Sequence, residues 1–252
     1  MKASENRYIR NRIYLSDKEQ DIIKRTPIFL AGCGIGSVIA ECALRIGFEN
    51  ITLVDGDKVE LSNINRQNYT EKDIAVSKAE AIKQRLLSIN SNANINVHNC
   101  YLTTGNLRQF ILGHKIAINA LDFSSEVPLA FDSVCKENGI WVLHPYNIGW
   151  GGIVAVISPE SAGLDSISRP NKKFSEVEFV EYALSHLNFR GKPAVWAKEA
   201  LETYLAEEER ISPPQLSIGS WLVASMCTNI LFDIAVGKEV KTFPRFYFSS
   251  LK

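Results

Sequence analysis

A short apolar run, a glycine-rich turn, a helical pattern and a second apolar run follow one another between Thr26 and Asp55, and this order constrains the fold more than any other feature of the chain. Pro27 to Ala31 is short and almost continuously apolar, as expected of a strand that is buried on both faces of a parallel sheet. The helical pattern ends at Gly47, and Ile51 to Val54 supplies the second strand. The sequence therefore predicts a βαβ unit at the start of a Rossmann-like, doubly wound α/β fold with a mainly parallel sheet.

The turn between the first strand and the helix is suited to phosphate, because it places backbone N–H groups and a helix N-terminus at one point. The pattern is an imperfect G-x-G-x-x-G, since the sixth position counted from Gly32 is Ser37. Gly34 and Gly36 are the other glycines of the turn. Asp55 ends the second strand, where a carboxylate can accept hydrogen bonds from both hydroxyls of a ribose. The glycine turn and Asp55 together favour a nucleotide-binding site over a purely structural glycine turn.

A polar loop beyond Asp55 is more informative than the glycine turn. It reads Ser62-Asn63-Ile64-Asn65-Arg66-Gln67 and has no strong helical pattern. Beside a triphosphate, such a loop would supply amide donors, and Arg66 would bind phosphate oxygens in a bidentate manner. A plain surface loop is the alternative interpretation.

These segments carry a resemblance to a known family. Gly34-Ile35-Gly36, Val54-Asp55-Gly56-Asp57, the run from Val59 to Gln67, and Lys78 beyond it resemble the ThiF/MoeB/HesA family, the bacterial relatives of ubiquitin-activating enzymes. The S-N-x-x-R-Q element with a lysine further on is far more specific than any glycine pattern.

The resemblance implies ATP chemistry. Members of that family bind Mg·ATP, and an acyl carboxylate, often the C-terminal glycine of a small carrier protein, attacks the α-phosphate to give an acyl-adenylate and pyrophosphate. The residues that it assigns to the nucleotide are Gly34, Gly36, Asp55, Asp57, Ser62, Asn63, Arg66, Gln67 and Lys78. The residues that it implies for catalysis are Arg10, Arg66, Lys78 and Asp122.

Two of these assignments lie outside the βαβ unit. Tyr8-Ile9-Arg10-Asn11 resembles the family's Y-x-R-Q, whose arginine reaches the partner subunit's ATP site, so the resemblance implies a homodimer. Without it, residues 1–25 would be interpreted as a solvated basic arm followed by a helix. Asp122 follows the apolar run Ile116 to Ile118 and resembles the family's magnesium ligand, with a helix-capping aspartate as the alternative. Phe123 departs from the amide or arginine that the family has there.

The cysteines exclude two features of many relatives. The chain has no C-x-x-C pair, so no structural zinc is expected. No cysteine lies between Cys135 and Cys227, which excludes a thioester nucleophile in the crossover region and predicts that the reaction stops at the adenylate. The five cysteines lie apart among apolar residues and indicate buried thiols in a reducing compartment.

Bulk properties favour a cytoplasmic protein. No apolar run of signal-peptide length opens the sequence. The long apolar stretch from Leu216 to Val236 contains Asn229 and Asp233, which favours a buried or dimer-interface helix over a membrane span. Basic and acidic residues both number 28, so no overall field favours nucleic acid as a partner.

We expect a single domain over residues 1–252, with a mixed or antiparallel C-terminal extension of the sheet and a divergent helical crossover over residues 160–215. The two helices in that crossover are either solvated or form a lid or partner-binding element. The leading function is ATP-dependent adenylation of a carboxylate on a small carrier protein or peptide. The alternatives are activation of a modified tRNA nucleoside carboxylate, an NAD-dependent oxidoreductase, and a catalytically silent dimeric scaffold.

Overall fold

The computed structural model describes residues 7–168, 174–191, 194–209 and 211–252. In that part of the chain, seven strands form one sheet. The strands are β1 Pro27–Ala31, β2 Asn50–Val54, β3 Asn94–His98, β4 Ile116–Asn119, β5 Trp141–Asn147, β6 Gly151–Ile157 and β7 Phe246–Ser250. The α-helices are α1 Asp17–Arg25, α2 Ile35–Ile46, α3 Lys78–Ile89, α4 Leu107–Ile111, α5 Val127–Glu137, α6 Glu176–Phe189, α7 Val195–Leu205 and α8 Ser217–Val236.

The strand order in the sheet is β3-β2-β1-β4-β5-β6-β7. The first five strands in this order are parallel, and β6 and β7 add an antiparallel extension. The predicted fold class is therefore confirmed. The chain winds outward from β1 in both directions, first through β2 and β3 and then through β4 and β5. This reversal opens a crevice at the carboxyl ends of the strands, where ligands bind in folds of this kind.

Both faces of the sheet are covered, which explains the continuous apolar runs in the strands. Side chains alternate along each strand, so Ile28 and Leu30 face one helical layer and Phe29 faces the other. Helices α1, α2, α3 and α8 supply the first layer, and α4, α5 and α6 supply the second. The closing strand begins at Phe246, later than the predicted Glu239, because Pro244 has no N–H to donate to a sheet ladder.

Helix α8 is long and apolar enough to cross a membrane, judged by length and composition among the described residues. Its side chains instead pack on α2 and on the face of β6, with Val223, Cys227 and Leu231 fully buried. Packing inside the domain therefore accounts for its apolar composition.

The N-terminal arm is held against the loop that follows α2. The Tyr8 hydroxyl donates to Glu49 over 2.9 Å, and the Asn11 amide donates to the Ile46 carbonyl over 3.0 Å. Ser16 and Glu19 form the capping box expected at the start of α1. The arm thus takes a defined path over the surface of the domain.

A buried carboxylate joins α2 to α3 and to the end of the polar loop. Glu41 is only 3% exposed, and it pairs with Arg45 over 2.7 Å and with Arg85. Asn68, directly after the loop, donates its side-chain amide to Glu41 and its backbone N–H to the Ser37 hydroxyl. The loop that carries Arg66 is therefore anchored to α2 through the residue that directly follows it.

We expect Glu41→Gln to lower the free energy of unfolding by about 2 kcal/mol at neutral pH, because it leaves charged donors without a charged acceptor. Burial alone would raise the pKa of Glu41, but the hydrogen bonds from Arg85, Asn68 and Arg45 bring this pKa below its ordinary value. Such a carboxylate stabilises the fold above its unfolded pKa, and the effect is lost as the pH falls through the folded pKa. Urea denaturation at a series of pH values measures the difference in the free energy of unfolding between the wild type and the variant.

The matched control is Glu202→Gln on the exposed side of α7, where the carboxylate pairs with exposed Lys198. Its effect should stay within about 0.5 kcal/mol at every pH. If the two variants lose the same stability, the buried cluster does not hold α2 and α3 together.

Candidate active site

A cavity of about 930 Å³ follows the carboxyl ends of the parallel strands. It begins at residues after β3, passes the ends of β2, β1 and β4, and finishes at the end of β5. Helices α6 and α7 and residues 211–215 supply its outer wall. This volume is near the upper end for small-molecule sites and leaves room for more than one ligand group.

The turn after β1 depends on glycine. Gly32 has a φ of +88°, and a Cβ built on it would lie 2.5 Å from the Ala120 carbonyl oxygen. Gly34 lies at the N-cap of α2 and lines the cavity, so the free N–H groups of the first helical turn lie at its wall. These donors and the helix dipole favour an anion there. Gly36 is the second residue of α2, buried beside Leu30 and outside the cavity lining.

Asp55 holds the glycine turn in place. One carboxylate oxygen accepts the Cys33 N–H over 2.6 Å, and the other accepts the Asp57 N–H over 2.7 Å. Burial raises the pKa of Asp55, and the two backbone hydrogen bonds oppose that rise. Each oxygen keeps a second acceptor site, so both remain able to accept from ligand hydroxyls.

Asp57 is the acceptor between a lysine and a tyrosine. Lys78 is the first residue of α3 and is only 9% exposed, and its Nζ lies 2.9 Å from Asp57. The Tyr101 hydroxyl donates to the other Asp57 oxygen over 2.9 Å. Burial on its own would raise the pKa of Asp57, but Lys78 and Tyr101 bring it below its usual range. A cation is thereby held at the cavity wall in a fixed place.

Tyr101 was not among the predicted site residues. It follows β3 as Asp55 follows β2, and its ring lies against Gly56, where an added Cβ would come within 2.7 Å. It is 66% exposed and lines the cavity. A flat aromatic surface at the β3 end is suited to contact a planar ring. The signal that would have identified it is its place after a strand of the parallel sheet.

The polar loop is more ordered than its sequence suggests, because Leu61–Asn63 forms a turn of 3-10 helix. Asn63 is buried, and its side-chain oxygen accepts the Glu60 N–H over 3.0 Å. Gln67 lines the cavity with its side-chain oxygen buried and without a partner among the described residues. Ser62 is exposed and outside the cavity lining.

Arg66 is oriented by three hydrogen bonds. Its Nη1 donates to the Ser62 carbonyl over 2.7 Å and to the Asn65 side chain over 2.9 Å, and its Nε donates to Gln215 over 2.8 Å. Burial lowers the pKa of Arg66, and the negative charge of Asp122 opposes that change. Nη2 has no hydrogen-bond partner in the described part of the chain, so it remains available to a ligand.

Two carboxylates lie at the β4 end of the cavity. Asp122 follows β4, and Glu176 is the first residue of α6, where it accepts the backbone N–H of Phe123. Burial and then the charge of Asp122 raise the pKa of Glu176 to about 7. Glu176 was not among the predicted site residues. It belongs to a group of acidic residues in the sequence, and a solvated helix accounts for such a group equally well.

We expect Glu176→Gln to remove a pH-dependent destabilisation. Between pH 4.5 and about 7, the folded protein keeps the proton on Glu176 whereas the unfolded chain has released it. The free energy of unfolding should therefore fall by about 1 to 2 kcal/mol more in the wild type than in this variant as the pH rises through that range. Thermal unfolding from pH 4.5 to 8 measures the difference.

Glu199→Gln on the exposed side of α7 serves as the control and should follow the wild type at every pH. A constant offset between wild type and Glu176→Gln would show that the carboxyl titrates normally.

A buried polar network lies beneath this end of the cavity. His144 is 1% exposed, and its Nε2 lies 2.8 Å from Asp132, which also accepts from the Asn119 side-chain amide over 3.0 Å. His144 is thus held by Asp132 in a buried network and does not line the cavity. Arg10 is exposed on the N-terminal arm and is not among the residues that line the cavity.

The sheet order, the glycine turn and the clustered polar residues define a nucleotide-binding α/β domain of the type shared by ubiquitin-activating enzymes and their bacterial relatives. Residues 7–251 match the ThiF family, and the chain belongs to that family. The resemblance seen in the sequence is thus confirmed. The family comprises enzymes with activities related to adenylyl transfer.

The chain is 30% identical over 161 residues to the sulfur carrier protein ThiS adenylyltransferase of Bacillus subtilis (strain 168), which covers 62% of this chain and 48% of that protein. It is 34% identical over 109 residues to the tRNA threonylcarbamoyladenosine dehydratase of Escherichia coli (strain K12). This match covers 42% of this chain and 40% of that protein. The chain spans less than half of the length of these curated relatives.

A crystal structure of E. coli MccB with ATP superposes with a TM-score of 0.69, covering 98% of this chain and 72% of that chain at 18% identity. At this identity the likeness concerns the fold alone. It extends over the crossover helices as well as the βαβ unit.

Proposed function

We propose that this protein uses ATP to activate a carboxylate as an acyl-adenylate, with release of pyrophosphate. The observation that carries the proposal is that one cavity collects Asp55, Arg66, Lys78 and Asp122 from four different segments. A glycine turn and an acidic residue such as Asp55 are common to nucleotide-binding folds in general. Arg66 and Lys78, by contrast, have no role in hydride transfer to NAD. The cations therefore favour phosphate chemistry over the oxidoreductase alternative.

The reaction that these residues would assist is in-line displacement at the α-phosphorus. A carboxylate oxygen of the substrate forms a bond to phosphorus, and the bond from phosphorus to the departing pyrophosphate oxygen breaks. The carboxylate is already ionised at neutral pH, so positioning and charge stabilisation are needed more than a base. Arg66 and Lys78 would neutralise phosphate charge, and the N-terminus of α2 would add backbone donors.

The carboxylates at the β4 end fit magnesium. Asp122 and Glu176 offer oxygen ligands at the cavity wall, and Mg²⁺ is usually held by one or two carboxylates together with substrate phosphates. In the described ranges, no cluster of three or more His, Cys, Asp or Glu side chains is arranged for a metal. Asp122 and Glu176 would hold the ion, which would neutralise charge on the phosphates.

The acyl group would not pass from the adenylate to a cysteine thioester in the crossover region. Cys135 and Cys227 are buried, and burial raises the pKa of both thiols. Neither thiol is accessible as a nucleophile. We therefore assign transfer of the acyl group to another protein or to a bound nucleophile.

The substrate class follows from the relatives and from the space beside Asp122. One relative is named for a sulfur carrier protein, and MccB structures contain the peptide MccA. For this chain we propose the C-terminal carboxylate of a small carrier protein or peptide, in the cytoplasm. The balanced net charge favours a protein or peptide over nucleic acid.

We expect labelled pyrophosphate to exchange into ATP when the protein receives Mg²⁺ and a suitable carrier or peptide. Asp122→Asn and Lys78→Met should each lower this exchange by about 100-fold or more, because each removes charge at the phosphates. Glu202→Gln, which lies outside the cavity, should leave it unchanged. Thermal shifts with Mg·ATP and with NAD provide an independent measurement of binding.

Preferential stabilisation by NAD would contradict the proposal. Likeness to the tRNA dehydratase keeps a modified tRNA nucleoside as a second candidate, so bulk tRNA is added as a separate arm. Pyrophosphate exchange that requires tRNA and occurs with none of the peptides would favour the tRNA nucleoside as substrate.

We also propose a homodimer in which Arg10 acts in the partner subunit's site. The arm that carries it is fixed to the domain by Tyr8 and Asn11, yet Arg10 itself is exposed and away from the cavity of its own chain. A cation held in this way can contribute to catalysis only if a second copy brings it to a cavity. Exposed Ile13 and Tyr14 on the same arm offer apolar surface for that contact.

We expect a purified heterodimer of Arg10→Ala and Asp122→Asn chains to regain about half of the wild-type exchange, because a twofold dimer then contains one complete site. Both parent homodimers should be nearly inactive. Two different affinity tags isolate the heterodimer, and light scattering verifies its mass.

If Arg10 acted within its own chain, this heterodimer would be as inactive as its parents. Arg12→Ala, two residues along the arm, is the matched control and should leave its homodimer active.

A further inference from the structure

At the β5 end, α6 and α7 contribute apolar side chains to the lining of the cavity. The part of the cavity that we call the apolar chamber has Tyr146, Val177, Val180, Ala200, Leu201 and Pro213 in its lining. Glu176, directly before Val177 in α6, also lines the cavity and interacts with Asp122. A group of apolar lining residues of this kind favours an apolar ligand group over a charged one.

Helix α7 forms the outer wall of the chamber with one face. Ala197, Ala200, Leu201 and Tyr204 line the cavity and recur at positions i, i+3, i+4 and i+7. The other face carries charged and exposed residues, among them Glu199 and Glu202. The apolar face of α7 is therefore turned toward the cavity.

The chamber is tied to the phosphate region by the segment that follows α7. The Tyr204 hydroxyl donates to the Ile211 carbonyl over 3.1 Å, and Gln215 accepts the Arg66 Nε over 2.8 Å. Tyr146 forms the inner wall, stacked on Phe179 with ring centroids 4.3 Å apart. Its hydroxyl is buried and has no partner in the described part of the chain.

The position of the chamber along the sheet indicates which part of the reaction it serves. Asp55 lies at the β2 end, the glycine turn lies at β1, and Asp122 lies at β4. A nucleotide with its ribose at Asp55 and its phosphates over β1 has its reacting phosphate directed toward β4. The group that attacks this phosphate must then approach from β5, which is where the apolar chamber lies.

We propose that the apolar chamber binds the side chain of the terminal residue that carries the activated carboxylate. The substrate would end in a residue with a bulky apolar side chain, such as leucine or phenylalanine. A carrier that ends in two glycines would leave the chamber without a side chain to bury. This inference rests on the proposed function, since it specifies the substrate of the same site.

The test measures pyrophosphate exchange with peptides that differ only in the last residue, which is glycine, alanine, leucine or phenylalanine. We expect kcat/KM to be about 10- to 100-fold higher for leucine or phenylalanine than for glycine, the factor expected from burying one apolar side chain. Ala200→Trp and Val180→Trp each fill the chamber from a different helix. Either variant should bring the kcat/KM of the leucine and phenylalanine peptides down to about that of the glycine peptide.

Glu199→Trp places the same bulk on the outer face of α7 and should keep the preference. A thermal shift with Mg·ATP equal to that of the wild type shows that each variant is folded. The inference is overturned if the glycine peptide is the best substrate, or if Ala200→Trp and Val180→Trp lower exchange equally for all four peptides. It is also overturned if Mg·ATP binds and no peptide supports exchange. Absence of any Mg·ATP shift in the wild type contradicts the proposed function itself.

Discussion

The arrangement of the site depends on the two hydrogen bonds that the Asp55 carboxylate accepts from backbone N–H groups. One comes from Cys33 and fixes the glycine turn against the end of β2. The other comes from Asp57 and sets the direction in which the chain leaves the sheet. Asp57 in turn orients Lys78 and Tyr101, so one carboxylate determines the positions of residues in three segments. Because these bonds are to the backbone, the arrangement depends less on the side chains of the turn, which is consistent with its imperfect glycine pattern.

The site also shows how a chain without net charge can present a strong local field. Lys78 pairs with Asp57 close to Asp55, and Arg66 lies near enough to Asp122 for the two charges to interact. The buried cluster around Glu41 keeps the arginine loop attached to α2 without placing a charge in the cavity. Charges of both signs therefore lie side by side in one cavity along the sheet edge. A bound polyanion and its cation would each find partners of opposite sign there.

Much of the site could be predicted because parallel strands end at one edge of a sheet. Asp55 and Asp122 follow strands whose apolar runs are visible in the sequence, so their meeting could be anticipated once the topology was known. Glu176 and Gln215 could not, since they come from a crossover region whose helical patterns allow either solvated or lining helices. Gln215 contacts Arg66 from 149 residues away, and no periodicity connects them. Gly36 appeared in the turn pattern, but it lies in the first turn of α2, buried beside Leu30 and outside the cavity lining.

The ion pair between Lys78 and Asp57 has a consequence for how a nucleotide is received. In the free protein this lysine already has a charged partner at 2.9 Å and is shielded from solvent. A phosphate that reaches it therefore replaces or shares an internal partner and does not neutralise a free cation surrounded by counterions. Exchange of one ionic contact for another releases few ions from solution. Recognition at this lysine should accordingly vary little with ionic strength, and its selectivity should come from geometry more than from long-range attraction.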